Sequence, residues 1–242
     1  MRCYAVLSDV HANISALHEV LREIDRRKIE DVLFLGDAVG YGPNPNECID
    51  LLAERCTVLL AGNHDWGAIG LTDVAYFNTY ARDTLAWMKA VITEKNKIML
   101  GSLPVRKELV EEDILLVHST PKEPEAWHYL LTLWDAEINF HYFDNRFCFL
   151  GHSHQPFIIE QAQSGELAAY KGSAKIKDGN RYIINAGSVG QPRDGDPRAG
   201  FVIITDENIE VIRVSYDIVT TQHRMKQEHL SDRLIERLSI GR

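Results

Sequence analysis

Short apolar runs that end abruptly in polar residues recur through the first 150 residues of the chain. Each run has four residues, the length and composition typical of a strand buried inside a sheet. These runs are Tyr4–Leu7, 32–35, 58–61, Ile114–Val117 and Phe147–Leu150. We therefore predict five buried strands, each followed at once by a polar turn.

Helical patterns separate some of these runs. Apolar residues recur at helical spacing from Ile14 to Ile24, and Asn13 precedes them as a candidate N-cap. Residues 72–100 and the charged tail over 218–238 also have the character of helices. From about Gln155 onward, short strands with glycine-containing turns replace this pattern. The chain is therefore expected to have an α/β fold, with a second, more antiparallel sheet supplied by its second half.

Composition and charge narrow the class of protein. The 242 residues are 45% hydrophobic, which is sufficient for one domain over 1–242 with a packed core. Lys and Arg number 26 against 35 Asp and Glu, giving a net charge of −9, so a stable complex with nucleic acid is not expected. No apolar run is long enough to span a membrane, and the four cysteines are scattered singly. A soluble, cytoplasmic protein is expected.

Residues of metal-binding type follow all five predicted strands. Asp9 and His11 are two positions apart just after the first strand, so their side chains can point toward one place. Similar groups recur at four later strand ends: Gly36-Asp37, Gly62-Asn63-His64-Asp65, Val117-His118 and Gly151-His152-Ser153-His154. In open α/β sheets, ligands bind beyond the carboxyl ends of the strands. Because clustered carboxylates and imidazoles need a compensating charge, a metal site is predicted there.

The ordered series D-x-H, G-D, G-N-H-D, H and G-H-x-H resembles the calcineurin-like metallophosphoesterases over nearly the whole chain. This resemblance implies two packed β-sheets flanked by helices, with a dinuclear metal site at the strand ends. It also implies ligands for both ions: Asp9, His11 and His154 for one, Asn63, His118 and His152 for the other, and Asp37 as the bridge between them.

The same resemblance implies the roles of further residues. His64 matches the family histidine that does not bind metal, contacts the substrate and protonates the leaving group. His64 and Asp37 are therefore the expected catalytic residues, and Asn63 is also expected to contact substrate. Oxygen and imidazole ligands without thiolate favour two divalent ions of manganese, iron, zinc or cobalt over calcium.

A glycine-rich segment over 185–198 carries Arg193 and Arg198. Together with residues 40–45, it resembles a prokaryotic branch of the family in which some members hydrolyse dinucleoside polyphosphates or simple phosphodiesters. Arginine forks and backbone N–H groups bind phosphate, so both arginines are candidate substrate contacts for a second, linked phosphate. The alternative is a tight structural turn in which Arg193 braces the loop against Asp194 or Asp196.

Other functions stay open at this point. The sequence after Gly36-Asp37 lacks the Asp and Arg that protein phosphatases of the family use, which disfavours that activity. A phosphomonoesterase is one alternative. A catalytically silent interaction protein, like the retromer subunit of the family, is another, but silent relatives tend to lose ligands and all seven positions are filled here. A nuclease would be expected to carry a basic groove or an extra domain. The expected partner is a small phosphorylated molecule such as a nucleotide, while the exact substrate, the metal pair and a possible homo-oligomer are left open.

Overall fold

The computed structural model describes residues 3–242, except for the side chain of residue 76. Its strands are β1 Tyr4–Leu7, β2 Asp31–Phe34, β3 Val58–Leu59, β4 Arg106–Leu109, β5 Ile114–Val117, β6 Phe147–Leu150, β7 Phe157–Gln161, β8 Leu167–Tyr170, β9 Ser173–Lys175, β10 Arg181–Asn185, β11 Ala199–Ile204 and β12 Asn208–Val214. Its α-helices are α1 Ile14–Arg26, α2 Pro45–Arg55, α3 Asn63–Ile69, α4 Thr79–Val91, α5 Glu94–Ser102, α6 Leu133–Asn139, α7 Ile218–Gln227 and α8 Asp232–Arg237.

The described strands form two sheets of six. The first sheet has the order β3-β2-β1-β11-β12-β9, and the second has the order β4-β5-β6-β10-β7-β8. Strands β1, β2 and β3 run parallel in the first sheet, as do β5, β6 and β10 in the second. Since the carboxyl ends of parallel strands lie at the same edge, the turns after these strands are brought together.

The two sheets pack face to face with helices outside them. Val6 and Leu33 of the first sheet share one buried cluster with Leu116 and Phe149 of the second. Helices α1, α2 and α4 cover the outer face of the first sheet, and α6 covers the outer face of the second. The alternation of side chains along each strand places one set in the central core and the other beneath the helices. This architecture confirms the expected sandwich of two sheets flanked by helices.

Several local predictions are corrected. The expected helix over 72–100 is interrupted. The helix α4 ends because Ile92 is extended, and α5 begins after Thr93, whose side chain accepts a hydrogen bond from the backbone N–H of Asn96. The charged tail over 218–238 is helical as expected, and it forms the two helices α7 and α8. The second half supplies β7, β8 and β10 to the second sheet, but it does not supply that sheet alone, and its strands β9, β11 and β12 join the first sheet. Along residues 3–242, no helix combines the length and apolar character that a bilayer crossing requires.

Candidate metal centre and active site

All seven predicted ligands lie together at the carboxyl ends of β1, β2, β3, β5 and β6. Each is buried, with between 0% and 7% of its surface exposed. Donor atoms of Asp9, His11 and His154 lie within 4.8 Å of one another. Those of Asp37, His118 and His152 form a second group that meets the same limit. The arrangement brings strand ends from both sheets to one place.

The backbone at this place is unusual. Asp9, His11, Asp37, His152 and His154 all have φ between 47° and 64°, a region that residues other than glycine rarely adopt. Such conformations cost about 1–3 kcal/mol each and persist where the surrounding structure holds them, typically at functional sites. These residues lie in the turns that follow β1, β2 and β6.

Glycine before His152 permits a close approach between the two sheets. A Cβ atom at Gly151 would lie 2.6 Å from Asp9 Oδ2 and 1.9 Å from Ser8 Oγ. The backbone N–H of His152 instead donates a hydrogen bond to Asp9 Oδ2 at 3.0 Å. The G-H pair therefore fixes the second sheet against the carboxylate of the first.

Three of the histidines are oriented by backbone carbonyls. The Nδ1 atoms of His11, His118 and His154 lie 3.0, 2.9 and 2.6 Å from carbonyl oxygens. A carbonyl only accepts, so each Nδ1 carries the proton and each Nε2 of a neutral ring presents a lone pair to the centre. This is the outer-shell arrangement that usually orients metal-binding imidazoles.

The centre places acceptor beside acceptor. Asp9 Oδ1 lies 3.2 Å from His154 Nε2, and Asp37 Oδ2 lies 3.4 Å from His118 Nε2. These two carboxylate oxygens are buried without a hydrogen-bond partner among the described residues. A buried carboxylate oxygen facing imidazole lone pairs is strongly disfavoured unless a cation or a proton lies between them. The donor set therefore fits two divalent cations, with Asp9 and Asp37 supplying carboxylate oxygens.

Without metal, the buried carboxylates and imidazoles of the centre shift one another's pKa values. Burial alone raises the pKa of Asp9, but neighbouring His154 and His11 outweigh it and hold the pKa well below its usual range. Burial and Arg193 lower the pKa of His154 to about 3. Burial also lowers the pKa of His118, yet Asp37 overcomes this effect and raises it to about 9. The raised pKa of His118 means that, without metal, its ring holds a proton that offsets the charge of Asp37, which is the role that a cation would take.

His64 lies beside the ligands, in the turn that begins α3. Its backbone N–H donates to Asp37 Oδ1 at 2.9 Å, and its ring centroid lies 4.8 Å from that of His11. Its Nδ1 is buried without a hydrogen-bond partner among the described residues. Burial lowers the pKa of His64 well below 6.5, although Asp37 opposes this shift. The ring is therefore neutral near pH 7 in the protein alone.

Sequence reasoning gave no role to Asp65, which positions the bridging residue. Its buried carboxylate accepts hydrogen bonds from the backbone N–H groups of Asp37, Val39 and Gly62 at 2.8–3.1 Å. These bonds join the turns after β2 and β3. The motif G-N-H-D contains this residue, but the letters of the motif do not show that its carboxylate would accept bonds from a neighbouring turn.

Two tyrosines near the centre were also missed. The ring of Tyr41 lies 4.7 Å from those of both His11 and His64. Tyr129 stacks on His152, with centroids 4.2 Å apart and planes at 18°. Both lie in loops without periodicity, so no pattern in the sequence indicated which way their rings point.

The two predicted substrate arginines differ in their contacts. Arg193 is half-buried, lies 5.4 Å from the Tyr41 ring centroid and donates to Gln191 Oε1 at 2.9 Å. Arg198 is exposed and directs its fork to Asp196, with the shortest contact at 2.6 Å. The alternative, in which Arg193 braces the loop against Asp194 or Asp196, finds no such ion pair within residues 3–242, since Asp194 pairs with Arg213 and Asp196 pairs with Arg198.

An open cleft of about 550 Å³ adjoins the centre, a size typical of small-molecule sites. Asn63, His64 and His152 form its floor, and Trp127 and Phe77 line its walls. The carbonyl of Trp127 lies 2.9 Å from His152 Nε2, so the wall is tied to the centre. Asp73 and Glu125 also line the cleft and add acidic character to it.

The fold and this site define a calcineurin-like phosphoesterase. A family model described as the calcineurin-like phosphoesterase superfamily domain matches residues 1–208, and the chain belongs to that superfamily. It is a hydrolase of phosphoesters, and members of the family act on small phosphorylated substrates.

Similarity extends over whole chains in several relatives. The protein MJ0912 of Methanocaldococcus jannaschii is 39% identical over 98% of both chains. A crystal structure of a metallophosphoesterase from Sphaerobacter thermophilus is 37% identical, with a TM-score of 0.86 over 100% of this chain and 99% of that one. The protein PH1004 of Pyrococcus horikoshii, 21% identical with a TM-score of 0.81 over 100% and 99% of the two chains, shares the fold.

Proposed function

We propose that the chain hydrolyses phosphoester or phosphoanhydride bonds in small nucleotides, with a preference for linked phosphates such as those of a dinucleoside polyphosphate. The observation that carries this preference is Arg193, which lies next to the histidine cluster without a carboxylate partner among residues 3–242. A substrate with one phosphate would need little beyond the metal ligands. An adjacent half-buried guanidinium favours a second phosphate.

The ligand sets proposed for the two ions are Asp9, His11 and His154 for one, Asn63, His118 and His152 for the other, with Asp37 shared. Asn63 Oδ1 lies 3.3 Å from His118 Nε2, which suits a place in the second set. When bound, two divalent cations neutralise phosphoryl oxygens and lower the pKa of a coordinated water. Manganese, iron, zinc and cobalt are all compatible with these oxygen and imidazole donors.

His64 is proposed to donate a proton to the leaving oxygen. Its pKa is low in the protein alone, but the negative charge of a bound phosphate favours the protonated ring. Hydrolysis adds the oxygen of water to phosphorus and breaks the bond from phosphorus to the leaving oxygen, which accepts this proton. Asp37 Oδ1 receives the His64 backbone N–H, so the proposed acid and the proposed bridge are held together.

Arg193 and the cleft are proposed to bind different parts of the substrate. Arg193 is proposed to bind the phosphate next to the one undergoing hydrolysis. Arg198 stays a weaker proposal, because substrate contact would compete with its Asp196 pair. The aromatic cleft, which Trp127 and Phe77 line, suits an uncharged organic group such as a nucleoside.

The cellular setting is also a proposal. The cysteines among the described residues are free, and Cys48 and Cys148 are buried, which agrees with a reducing cytoplasm. Residues 1–242 are proposed to act as one domain, and homo-oligomer formation is left as an expectation.

A substrate panel tests the proposed function. Manganese-loaded protein is assayed with nitrophenyl phosphate, bis-nitrophenyl phosphate and a dinucleoside tetraphosphate, at equal free metal. We expect all three to turn over, with the highest kcat/KM for the dinucleotide. A dinucleotide kcat/KM at or below that of nitrophenyl phosphate would contradict the proposed preference, and loss of all turnover would contradict the hydrolase assignment.

A further inference from the structure

His152 is held differently from the other three histidines of the proposed ligand sets. The others donate from Nδ1 to backbone carbonyls, but Nε2 of His152 lies 2.9 Å from the carbonyl oxygen of Trp127. Since a carbonyl only accepts, the proton of a neutral His152 ring is on Nε2, and Nδ1 keeps the lone pair. The backbone of Trp127 therefore determines which nitrogen of His152 is available to a cation.

This carbonyl belongs to a strained part of the chain. Trp127 follows the short 3-10 helix Pro124–Ala126 and has φ of 56°, in the left-handed region. Glycine and asparagine adopt this region far more readily than a bulky aromatic residue does. Such a conformation persists only where the surrounding structure holds it. With a relaxed backbone, the carbonyl would turn away from His152.

The indole of Trp127 supplies the contacts that hold this conformation. Its Nε1–H donates to the side-chain oxygen of Thr72 at 3.2 Å. Its ring meets that of Trp66 edge to face, with centroids 5.5 Å apart and planes at 90°. The same ring lies 6.0 Å from that of His118, at an angle of 70°. The side chain is thus anchored on several sides, while its own carbonyl orients the metal ligand.

These contacts all reach the ligand set proposed for the second ion. His118 and His152 belong to that set and contact Trp127 directly. Asn63, the third member, begins the helix α3, in which Trp66 lies three residues further on. Within residues 3–242, no hydrogen bond or ring contact joins Trp127 to the residues proposed for the first ion alone, which are Asp9, His11 and His154.

Tyr129, in the same loop, adds a second constraint on the His152 ring. The two rings stack with centroids 4.2 Å apart and planes at 18°. Stacking fixes the plane of the imidazole, and the carbonyl of Trp127 fixes its rotation within that plane. Metal-binding histidines usually have such an outer partner, which sets the tautomer and the orientation of the ring.

We propose that Trp127 is a positioning residue for the second metal ion. Its anchored indole keeps the strained backbone in place, and the backbone carbonyl presents His152 to the ion as the tautomer that carries its proton on Nε2. The aromatic wall of the substrate cleft is thereby also part of the metal centre. The inference rests on the ligand set of the proposed function, but it does not depend on the identity of the substrate.

Manganese binding to chelator-treated protein tests the role of the indole without an activity assay. Bound and free metal are measured by equilibrium dialysis for the unmodified protein and for Trp127→Ala. Removal of an outer partner of a metal-binding histidine typically weakens metal affinity about 10- to 100-fold. We expect this loss for one of the two ions, with the Kd of the other unchanged. An equal loss for both ions, or no loss, would overturn the proposal.

A double-mutant cycle with His152→Ala shows whether Trp127 acts through that histidine. When His152 is already absent, Trp127→Ala should have no further effect on the affinity of the remaining ion, because the shared interaction is gone. Additive losses would mean that Trp127 contributes by another route. The control Trp134→Ala removes an exposed tryptophan of α6 and should bind both ions like the unmodified protein.

Two milder variants separate the anchor from general packing. Thr72→Val removes only the acceptor of the indole N–H, and Trp127→Phe keeps a ring against Trp66 without that N–H. Both should weaken the same ion as Trp127→Ala, by a smaller factor. If Trp127→Ala does not fold, these variants decide the question, and unchanged affinity in both would overturn the role of the anchor.

The tautomer of His152 gives a readout that needs no metal. Long-range ¹H–¹⁵N spectra of the metal-free protein at neutral pH should show His152 with its proton on Nε2, and a mixture of tautomers in Trp127→Ala. A proton on Nδ1 of His152 in the unmodified protein would refute the proposal.

Failure of the proposed function gives a different result. Two bound ions, one of them dependent on Trp127, without turnover of any phosphoester would contradict the proposed hydrolysis alone. Turnover of the substrate panel with metal affinities that do not depend on Trp127 would overturn only the role of this residue.

Discussion

The Nε2 atoms of His11 and His154 lie 3.0 Å apart, although each ring uses its Nδ1–H for a backbone carbonyl. Two imidazole lone pairs at hydrogen-bond distance attract each other only if a proton or a cation lies between them. Asp9 Oδ1, which lies 3.6 Å from His11 Nε2 and 3.2 Å from His154 Nε2, completes a set of three acceptors. This relationship is the most direct structural reason for a metal at this place.

His64 is expected to contribute to turnover without contributing to metal binding. His64→Ala removes the proposed acid and should lower kcat by about 10²- to 10⁴-fold, while metal content per chain is unchanged. The loss should be smaller for nitrophenyl esters, whose leaving group needs less protonation, than for alkyl esters. The control His18→Ala changes an exposed residue of α1 and should leave kcat unaltered. Equal losses across leaving groups would contradict an acid role.

Arg193 is expected to distinguish substrates by their number of phosphates. Arg193→Ala should reduce kcat/KM for a dinucleoside tetraphosphate about 10- to 150-fold, because a charge-assisted contact contributes about 1.5–3 kcal/mol. The kcat/KM for nitrophenyl phosphate should hardly change. Arg22→Ala, at an exposed position of α1, serves as the control for loss of one positive charge. A melting curve accompanies both assays, since equal losses on both substrates with a lower melting temperature would indicate a purely structural arginine.

Glu160 of β7, which is not one of the predicted metal ligands, is expected to make stability depend on pH. Burial raises its pKa, but hydrogen bonds from Lys177, Tyr170 and Asn180 outweigh burial and lower the pKa from 4.5. A lowered pKa in the folded state means that this stabilisation is present above about pH 4.5 and is lost as the pH falls below it. The Glu160→Gln variant should therefore be less stable by about 1–3 kcal/mol at pH 7, with a smaller difference near pH 3.5.

Urea unfolding at the two pH values measures this difference. Glu54→Gln, at an exposed position of α2, should have no effect at either pH. A destabilisation by Glu160→Gln that is the same at both pH values would show that the lost interaction does not depend on the carboxylate charge.

The sequence predicted the strands that carry the ligands because each apolar run stops where a polar turn begins. Asp9 follows β1 and His152 follows β6 for this reason, and parallel pairing brings such positions to one edge. The pattern did not predict that Thr93 divides the helical region over 72–100, because a single capping residue competes there with continuous helical character. Nor did it predict Tyr41 beside His64, or the carbonyl of Trp127 beside His152, since those pairs depend on how distant loops pack.

The metal stoichiometry of activity tests the central claim most directly. Protein treated with chelator and dialysed is titrated with manganese while nitrophenyl phosphate hydrolysis and bound metal are measured together. The account predicts negligible activity without metal and a plateau at two ions per chain, because both ligand groups must be filled. Asp37→Ala should lose most of both ions, whereas Asp83→Ala, at an exposed position of α4, should retain them. A plateau at one ion per chain, or full activity in the chelated protein, would contradict the account.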